Sequence, residues 1–533
     1  MKIFSNFLCC VILMQAAFLL PAQTTPTVYN NGAHIVSTTG SYWVIDNGNF
    51  TLKSESATNL ANMANLKIEA DASLTLTPQS YLTVSGTLDN NSDNDGLVLQ
   101  STDAGTASLI HADATDVFAT INRFVTGSTN LTLKKYHFVS VPLTPVTNST
   151  ANLFLGAYLY QLNVASNAWE STGTSTTSPL DETKGYMIYY PASTHTFTFE
   201  GPMNAGSFTP TVVYAGHGNN LVPNPYPSAI DWNADGWTKD GIANSVYQWP
   251  SGGTQYVTYV AGVVTPEGTP NPNIIPSGQA FIVKATGSPT LTMTDAVRVH
   301  SNRSFLKSDE LFADLIRIKA TGNEMADEAV VRFTENATTS VDADFDAWKM
   351  YGTDGAPQLY TVAADNEILA INSLPYLETA YTVPMNLEMK ASQPVAFTFT
   401  NIESFNPSVT IFLKDEFTNQ TVNLRNQQVY TFNHNPENAA NRFKLVFGGT
   451  IGVDEINAEI NRMWISGNML YITAPELNGQ NSLIEVFNVS GQKLMSQTMV
   501  LSELSTMELN CKGFVVAKLT SGQKVITTKG ILR

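Results

Sequence analysis

The sequence predicts an all-β protein built from several domains, and three observations carry that prediction. Apolar residues come in short runs with a two-residue period, as in Ala396-Phe397-Thr398-Phe399-Thr400, Glu328-Ala329-Val330-Val331-Arg332-Phe333 and Leu483-Ile484-Glu485-Val486-Phe487-Asn488-Val489. Clusters of Gly, Asn, Asp and Ser separate these runs at the spacing of turns. No long stretch carries the apolar period of an amphipathic helix, and only short turns near Ala57–Ala64 and Pro436–Asn441 have a helical pattern. A chain of 533 residues is too long for one core, which implies three or four units.

Composition narrows the setting. Charged residues are only 14%, against roughly a quarter in ordinary soluble domains, and Thr, Asn and Ser carry the polar load. That balance suits extracellular β structure, in which β-branched and small polar side chains face solvent along strands. A formal net charge of −17 opposes attraction to phosphate backbones and anionic membranes, so nucleic acid is not an expected partner.

In chain order, residues 1–22 have the plan of a secretory signal peptide: Lys2, an apolar run from Phe7 to Leu20, and a small-residue exit at Pro21-Ala22-Gln23 with cleavage expected after Ala22. Cys9 and Cys10 begin the apolar run instead of ending it, unlike a lipoprotein anchor. Cleavage leaves Cys511 alone, so no intramolecular disulfide is expected. No later segment reaches 18 uninterrupted apolar residues, and the mature chain is expected to lack a transmembrane helix.

Residues 23–115 contain runs of about three apolar residues with small polar corners, including Tyr42 to Ile45, Leu66 to Ile68 and Leu97 to Leu99, as expected of a short β-solenoid or a meander. Ala70 to Leu76 and Leu82 to Leu88 read as two coils of one stack. The acidic corner Asp89 to Gly96 has part of the calcium-loop spacing in Asn91, Asp93, Asp95 and Gly96. It carries Thr102 where such a loop closes with glutamate, so it reads as a turn.

Residues 116–305 form a β-rich module whose landmark is Leu221-Val222-Pro223-Asn224-Pro225-Tyr226-Pro227-Ser228-Ala229-Ile230-Asp231-Trp232. Three prolines fix φ and withhold three donors, which predicts a rigid extended loop and no central strand. Tyr136 to Pro142, Lys184 to Tyr190 and Ser277 to Lys284 read as strands around it. This string resembles a module common in large secreted Bacteroidetes proteins. Residues 306–448 read as an antiparallel β-sandwich, and 449–461 as a polar linker.

The last segment, 462–533, alternates strands and turns to the end. Phe487-Asn488-Val489-Ser490-Gly491-Gln492 makes a hairpin turn, Lys512-Gly513-Phe514-Val515-Val516 opens a strand, and Gly522-Gln523-Lys524-Val525 with Lys529 closes the chain. In this order and position the motifs resemble the C-terminal sorting domain that marks Bacteroidetes proteins for type IX secretion. Gly530 stands where that family usually has a second lysine, and Cys511 where an aliphatic residue is commoner. The resemblance implies an immunoglobulin-like sandwich with Asn488, Gly491, Gly513, Gly522, Lys524 and Lys529 as its sorting signal. It also implies the type IX machinery as a partner, a secreted or outer-membrane-associated location, and removal of the tail or its exchange for a surface lipopolysaccharide anchor.

Catalytic motifs are largely missing. The chain has no His-Glu-x-x-His, no Cys-x-x-Cys, no Gly-x-Ser-x-Gly and no phosphate-cradling Gly-rich loop. Its seven histidines, His34, His111, His137, His195, His217, His300 and His434, are scattered singly, although a Ser-His-Asp triad gathered from distant segments stays open. Asp342, Asp344 and Asp346 alternate, and an extended segment would put them on one face fit for calcium or magnesium. The stretch from Trp232 to Tyr259 crowds aromatic residues beside Pro and Gly. It is either core filler or a stacking surface, with Trp232, Trp237 and Trp249 as the candidate ligand-stacking rings. No residue is assigned as catalytic. The expected function is an exported, non-catalytic adhesive or structural surface protein; the alternatives are a secreted polysaccharide or protein hydrolase, or a carbohydrate-binding protein.

Overall fold

A computed structural model describes residues 27–30, 35–36, 42–45, 48–54, 60–112, 117–130, 134–143, 153–174, 180–300, 312–377, 380–438, 441–448, 462–466, 468–488, 490–522 and 524–532. The signal peptide 1–22 and the linker 449–461 expected from the sequence lie outside these residues. The protein is all-β. It divides into a first unit of residues 1–259 and 269–305 and a second of residues 260–268 and 306–533.

The first unit begins with a three-sided parallel β-helix. One side stacks Thr27–Asn30, Gly48–Ser54, Ala72–Leu76 and Leu97–Leu99, each parallel to the next. A second side stacks Ile35–Val36, Leu60–Met63, Tyr81–Val84 and Ser108–His111, and a third stacks Tyr42–Ile45, Asn65–Ile68 and Leu88–Asn90. Each coil takes roughly two dozen residues, within the repeat lengths of solenoids. Cross-strand register builds an inward ladder of Leu52, Leu76, Leu99 and Ile121, all buried. A coil buries its apolar side only when another coil lies on it, so the ladder is the stabilising feature of the stack.

Two sequence expectations change here. Ala72–Leu76 and Tyr81–Val84 are two sides of one coil, not successive coils. Leu60–Met63, expected within a helical turn, is a strand because it must form one side of the second coil.

The stack ends with a reversal of direction. Phe118–Thr126 pairs parallel with Leu97–Leu99 on one edge and antiparallel with Thr194–Pro202 on the other. Beyond it, Tyr136–Val139, Tyr186–Tyr189, Tyr158–Asn163 and Ala168–Thr174 make a four-stranded antiparallel sheet. A further sheet pairs Asn219–Pro223 with Ala280–Met293, which pairs in turn with Trp237–Gln248, and that strand with Val257–Val260.

The proline-rich segment is more strand-like than expected. Asn219–Pro223 is an edge strand ending on its proline, which satisfies the missing-donor rule. Pro225 and Pro227 fall in the following loop, and Ala229–Asp231 is the middle strand of a small sheet with Ile274–Ile275 and Arg298–Val299. The loop is held by the buried Asn224 side chain, whose Nδ2 donates to the carbonyls of Ser228, Ile275 and Pro276 at 2.9 to 3.1 Å. Arg298 then ties this region to the last coil by donating to the carbonyls of His111 and Leu109 at 2.6 and 3.2 Å.

In the second unit, the expected antiparallel sandwich is made by one long sheet that curls over its own core. Its path includes Ile411–Asp415, Phe443–Phe447, Tyr381–Glu388, Gln358–Val362, Ile368–Leu374, Met325–Phe333, Leu315–Gly322, Gln393–Thr400 and Val429–His434. One contact, between Met325–Phe333 and Ile368–Leu374, is parallel. The two ends of the path meet across the core, where Phe443 packs on Phe397 and Phe432 with ring centroids 4.9 and 4.7 Å apart.

The final segment is a separate small sandwich, as its alternation indicates. Arg462–Ser466, Met469–Thr473 and Ser505–Glu508 form one sheet. Lys493–Val500, Asn481–Asn488, Gly513–Ser521 and Lys524–Leu532 form the other, and Leu470, Ile472, Ile484, Val486, Val515, Ala517 and Leu519 fill the space between. A Cβ added at Gly530 would lie 2.9 Å from Cβ of Ile465, so the missing side chain is what lets the two sheets close there. Among the described residues, no helix is long and apolar enough to cross a membrane.

Candidate functional site

The aromatic stretch singled out in the sequence separates into core and rim. Trp232 is fully buried: Nε1 donates to the Asn244 carbonyl at 2.8 Å, Trp237 and Phe281 lie 4.9 and 5.9 Å away, and Nζ of Lys239 sits 3.7 Å above its ring. Its faces are covered, which corrects the expectation that it stacks on a ligand. Trp237 is half-buried, donates to the Asp231 carbonyl at 2.8 Å and packs on the same Phe281. Of the three, Trp249 lines the cavity at Arg123 and His137.

That cavity, of about 380 Å³, lies in the first unit. Arg123 reaches it from Phe118–Thr126, the strand that ends the β-helix, and His137 and Phe138 come from Tyr136–Val139. Gln248 stands at the end of Trp237–Gln248, and Trp249, Pro250 and Ser251 follow in the turn. Thr269 to Pro272, Ile274, Pro276 and Gln279 close the remaining side. Four prolines in this wall fix φ at positions that make no ladder, so the rim is stiff without being a sheet.

The polar lining is pre-arranged. Gln279 Nε2 donates to Gln248 Oε1 at 3.1 Å, and Gln248 Nε2 donates to the Pro272 carbonyl at 2.8 Å, which orients both amides. Trp249 is set edge-on to Tyr256 with centroids 4.9 Å apart, and Tyr256 packs on Phe138. Burial pushes the Tyr256 phenol well above its ordinary range, so it stays protonated.

Arg123 is the unusual member. Its Nη1 reaches Thr106 Oγ1 at 3.5 Å, its stem runs beside Gly278, and its Nε is buried with no hydrogen-bond partner. Among the described residues no carboxylate pairs with it, and none lines the cavity. Burial pushes the guanidinium down to about 10, which still leaves it charged at neutral pH.

His137 stands near that charge. Burial first, and then the repulsion of Arg123 and Lys135, hold its pKa below the usual imidazole range, against the opposing effect of a backbone hydrogen bond. Nε2 donates to the Thr126 carbonyl at 2.6 Å and lies 3.1 Å from Ser251 Oγ. A carbonyl can only accept, so the proton of the neutral ring is on Nε2.

The other candidates from the sequence lie elsewhere. Asp342, Asp344 and Asp346 occupy a turn instead of an extended strand, and they share no face. Asp342 accepts from the Thr338 amide at 2.5 Å, Asp346 from the amides of Asp342 and Ser373 at 2.7 and 2.5 Å, and Asp344 is exposed. The corner at Asp93–Gly96 is a short helical turn, with Asn90 Nδ2 donating to the carbonyls of Asp93 and Phe118. Among the described residues, no three His, Cys, Asp or Glu side chains gather as a metal site.

In the tail, Asn488 Oδ1 accepts from the amides of Ser490 and Gln492 at 3.0 Å, and Gly491, Gly513 and Gly522 have φ of 78°, 91° and 58°. These residues make the turns. Lys524 pairs with Glu476, and Lys529 is exposed opposite Val516. Asn488 and Gly491 lie at one end of their sheet and Gly522 and Lys524 at the other, so the six do not converge on one spot.

A family model described as a domain of unknown function (DUF8693) matches residues 29–447, which takes in the β-helix, the cavity and the curled sheet. Among curated proteins, none matches the chain.

Proposed function

The chain belongs to the DUF8693 family, and on that footing we propose that it is an exported, non-catalytic surface protein that acts by binding. The observation that carries this reading is the cavity at Arg123 and Trp249: fixed amides, a stiff proline rim and a half-buried tryptophan ring, with no carboxylate among the described residues of its wall. Such a surface contacts a ligand without the paired acids that glycoside hydrolysis needs. Export rests on the apolar leader 1–22 and the type IX-like tail, whose sandwich architecture agrees with a sorting domain. Anchoring through surface lipopolysaccharide follows from the same resemblance.

Deleting Leu483 to Arg533 tests the export reading. Periplasmic accumulation of the truncated protein is the expected result, and unchanged surface display would remove the reading. Screening the mature protein against a glycan array tests binding, with loss of signal in Trp249→Ala as the expected outcome.

A hydrolase is the second reading, favoured by the 3.1 Å approach of Ser251 Oγ to His137. The proton on Nε2 opposes it, because that nitrogen then cannot take the serine proton, and no lining carboxylate orients the ring. Turnover of a polysaccharide or peptide that is abolished in Ser251→Ala would establish it.

A further inference from the structure

We infer that the cavity at Arg123 and Trp249 is built for a saccharide carrying a carboxylate, with the guanidinium of Arg123 as the anion receptor and the Trp249 ring as the platform for the sugar face. The inference rests on the binding reading above and names the ligand class of that same site.

The chain has a net charge of −17, yet among the described residues no acidic side chain lines this wall. A buried guanidinium without a counter-ion is costly, because desolvation is offset only where a carboxylate or an equivalent acceptor meets the charge. The second unit shows how the same chain treats buried arginines when no ligand is involved: Arg317 pairs with Glu328 at 2.8 Å and Arg442 with Asp415 at 2.6 Å. The Nε of Arg317 is buried without a hydrogen bond just as that of Arg123 is, but Arg317 has Glu328 on its Nη1, and among the described residues Arg123 has no carboxylate on any of its nitrogens. A planar carboxylate can accept from two nitrogens of one guanidinium together, the two-point geometry to which this group is suited.

The remainder of the wall favours a sugar over a peptide end. Trp249 is half-buried and held edge-on by Tyr256, so its orientation is fixed before a ligand arrives. Side-chain amides and hydroxyls at Gln248, Gln279, Asn271, Ser251 and Thr269 supply donors and acceptors of the kind that hydroxyl groups need. The space of about 380 Å³ accommodates one or two sugar rings.

The experiment is calorimetric titration of the full mature chain with trigalacturonic acid and with its fully methyl-esterified form. The acid is expected to bind at least about tenfold more tightly than the ester, as for a hydrogen-bonded charge. Arg123→Gln should erase that difference while Arg123→Lys keeps part of it, and Trp249→Ala should weaken both forms. In wild type, raising the salt should weaken the acid and leave the ester unchanged.

Equal binding of acid and ester would overturn the anion receptor and leave saccharide binding intact. If neither form bound, nor any member of a glycan array, the binding reading itself would fall. Capture of a peptide carboxylate through Arg123, with no saccharide bound, would overturn the ligand class.

Discussion

Arg442 closes a two-point hydrogen bond on Asp415, Nε to Oδ1 at 2.9 Å and Nη2 to Oδ2 at 2.6 Å, inside the core where the two ends of the long sheet meet. Tyr430 adds its hydroxyl to the same carboxylate at 2.8 Å. Arg442→Met should therefore destabilise the second unit by about 3–5 kcal/mol, because Asp415 is left buried without its partner. The double variant Arg442→Met with Asp415→Leu should recover most of that loss in urea melts. A double variant no more stable than the single one would contradict the account.

The same pair sets an acid limit. Burial alone would raise the Asp415 pKa, but the bonds from Arg442 and Tyr430 outweigh it and hold the group at about 2, below its ordinary 3.8. A depressed carboxylate stabilises the fold above its unfolded pKa and loses that contribution as pH falls toward the folded value. The second unit should lose stability between about pH 4 and pH 2, and the double variant should show a shallower loss there.

Asp346 behaves in the opposite sense. Burial pushes its carboxyl up to about 7 despite the two amides it accepts from. A group raised in the folded state favours folding fully below its unfolded pKa and loses that effect as pH rises through the folded one. Thermal melts should show a midpoint that declines from about pH 4 to pH 7, and Asp346→Asn should flatten that slope. A slope unchanged in the variant would assign it to another group.

Core and rim tryptophans should part in stability measurements. Trp232→Ala removes a fully buried ring and should cost about 3–5 kcal/mol, whereas Trp249→Ala should stay within about 1 kcal/mol. In the β-helix, Leu76→Ala breaks the middle of the leucine ladder and should cost about 2–5 kcal/mol. Urea denaturation of each variant checks all three values.

Strands were legible where one face meets solvent and the other meets core, as at Ala72–Leu76 and Gln393–Thr400, since burial alternates there residue by residue. A solenoid was legible but its period was blurred, because the Ser101–Thr102 and Gly105–Thr106 hairpin puts 27 residues between the paired Tyr81 and Ser108, against 21 between the paired Leu60 and Tyr81. The curl of the long sheet escaped for a related reason: alternation reports two faces of a strand but not which strand lies across the core. The cavity draws on residues as far apart as Arg123 and Gln279, so no local motif announces it. Its one available signal was Arg123 itself, a lone cation among the apolar Ile121, Phe124 and Val125 of a strongly acidic chain. Trp232 misled because a crowd of aromatic residues in sequence says nothing about which ring points inward.

The strand Phe118–Thr126, parallel on one edge and antiparallel on the other, works as a terminus for the solenoid's length. Anyone wishing to lengthen the β-helix must splice whole turns into its middle, for instance between Asn90 and Leu97, since a turn added after Phe118–Thr126 would meet a neighbour running the wrong way. The cavity at Arg123 would stay with that closing strand, and the number of coils could be changed without redesigning what the cavity holds.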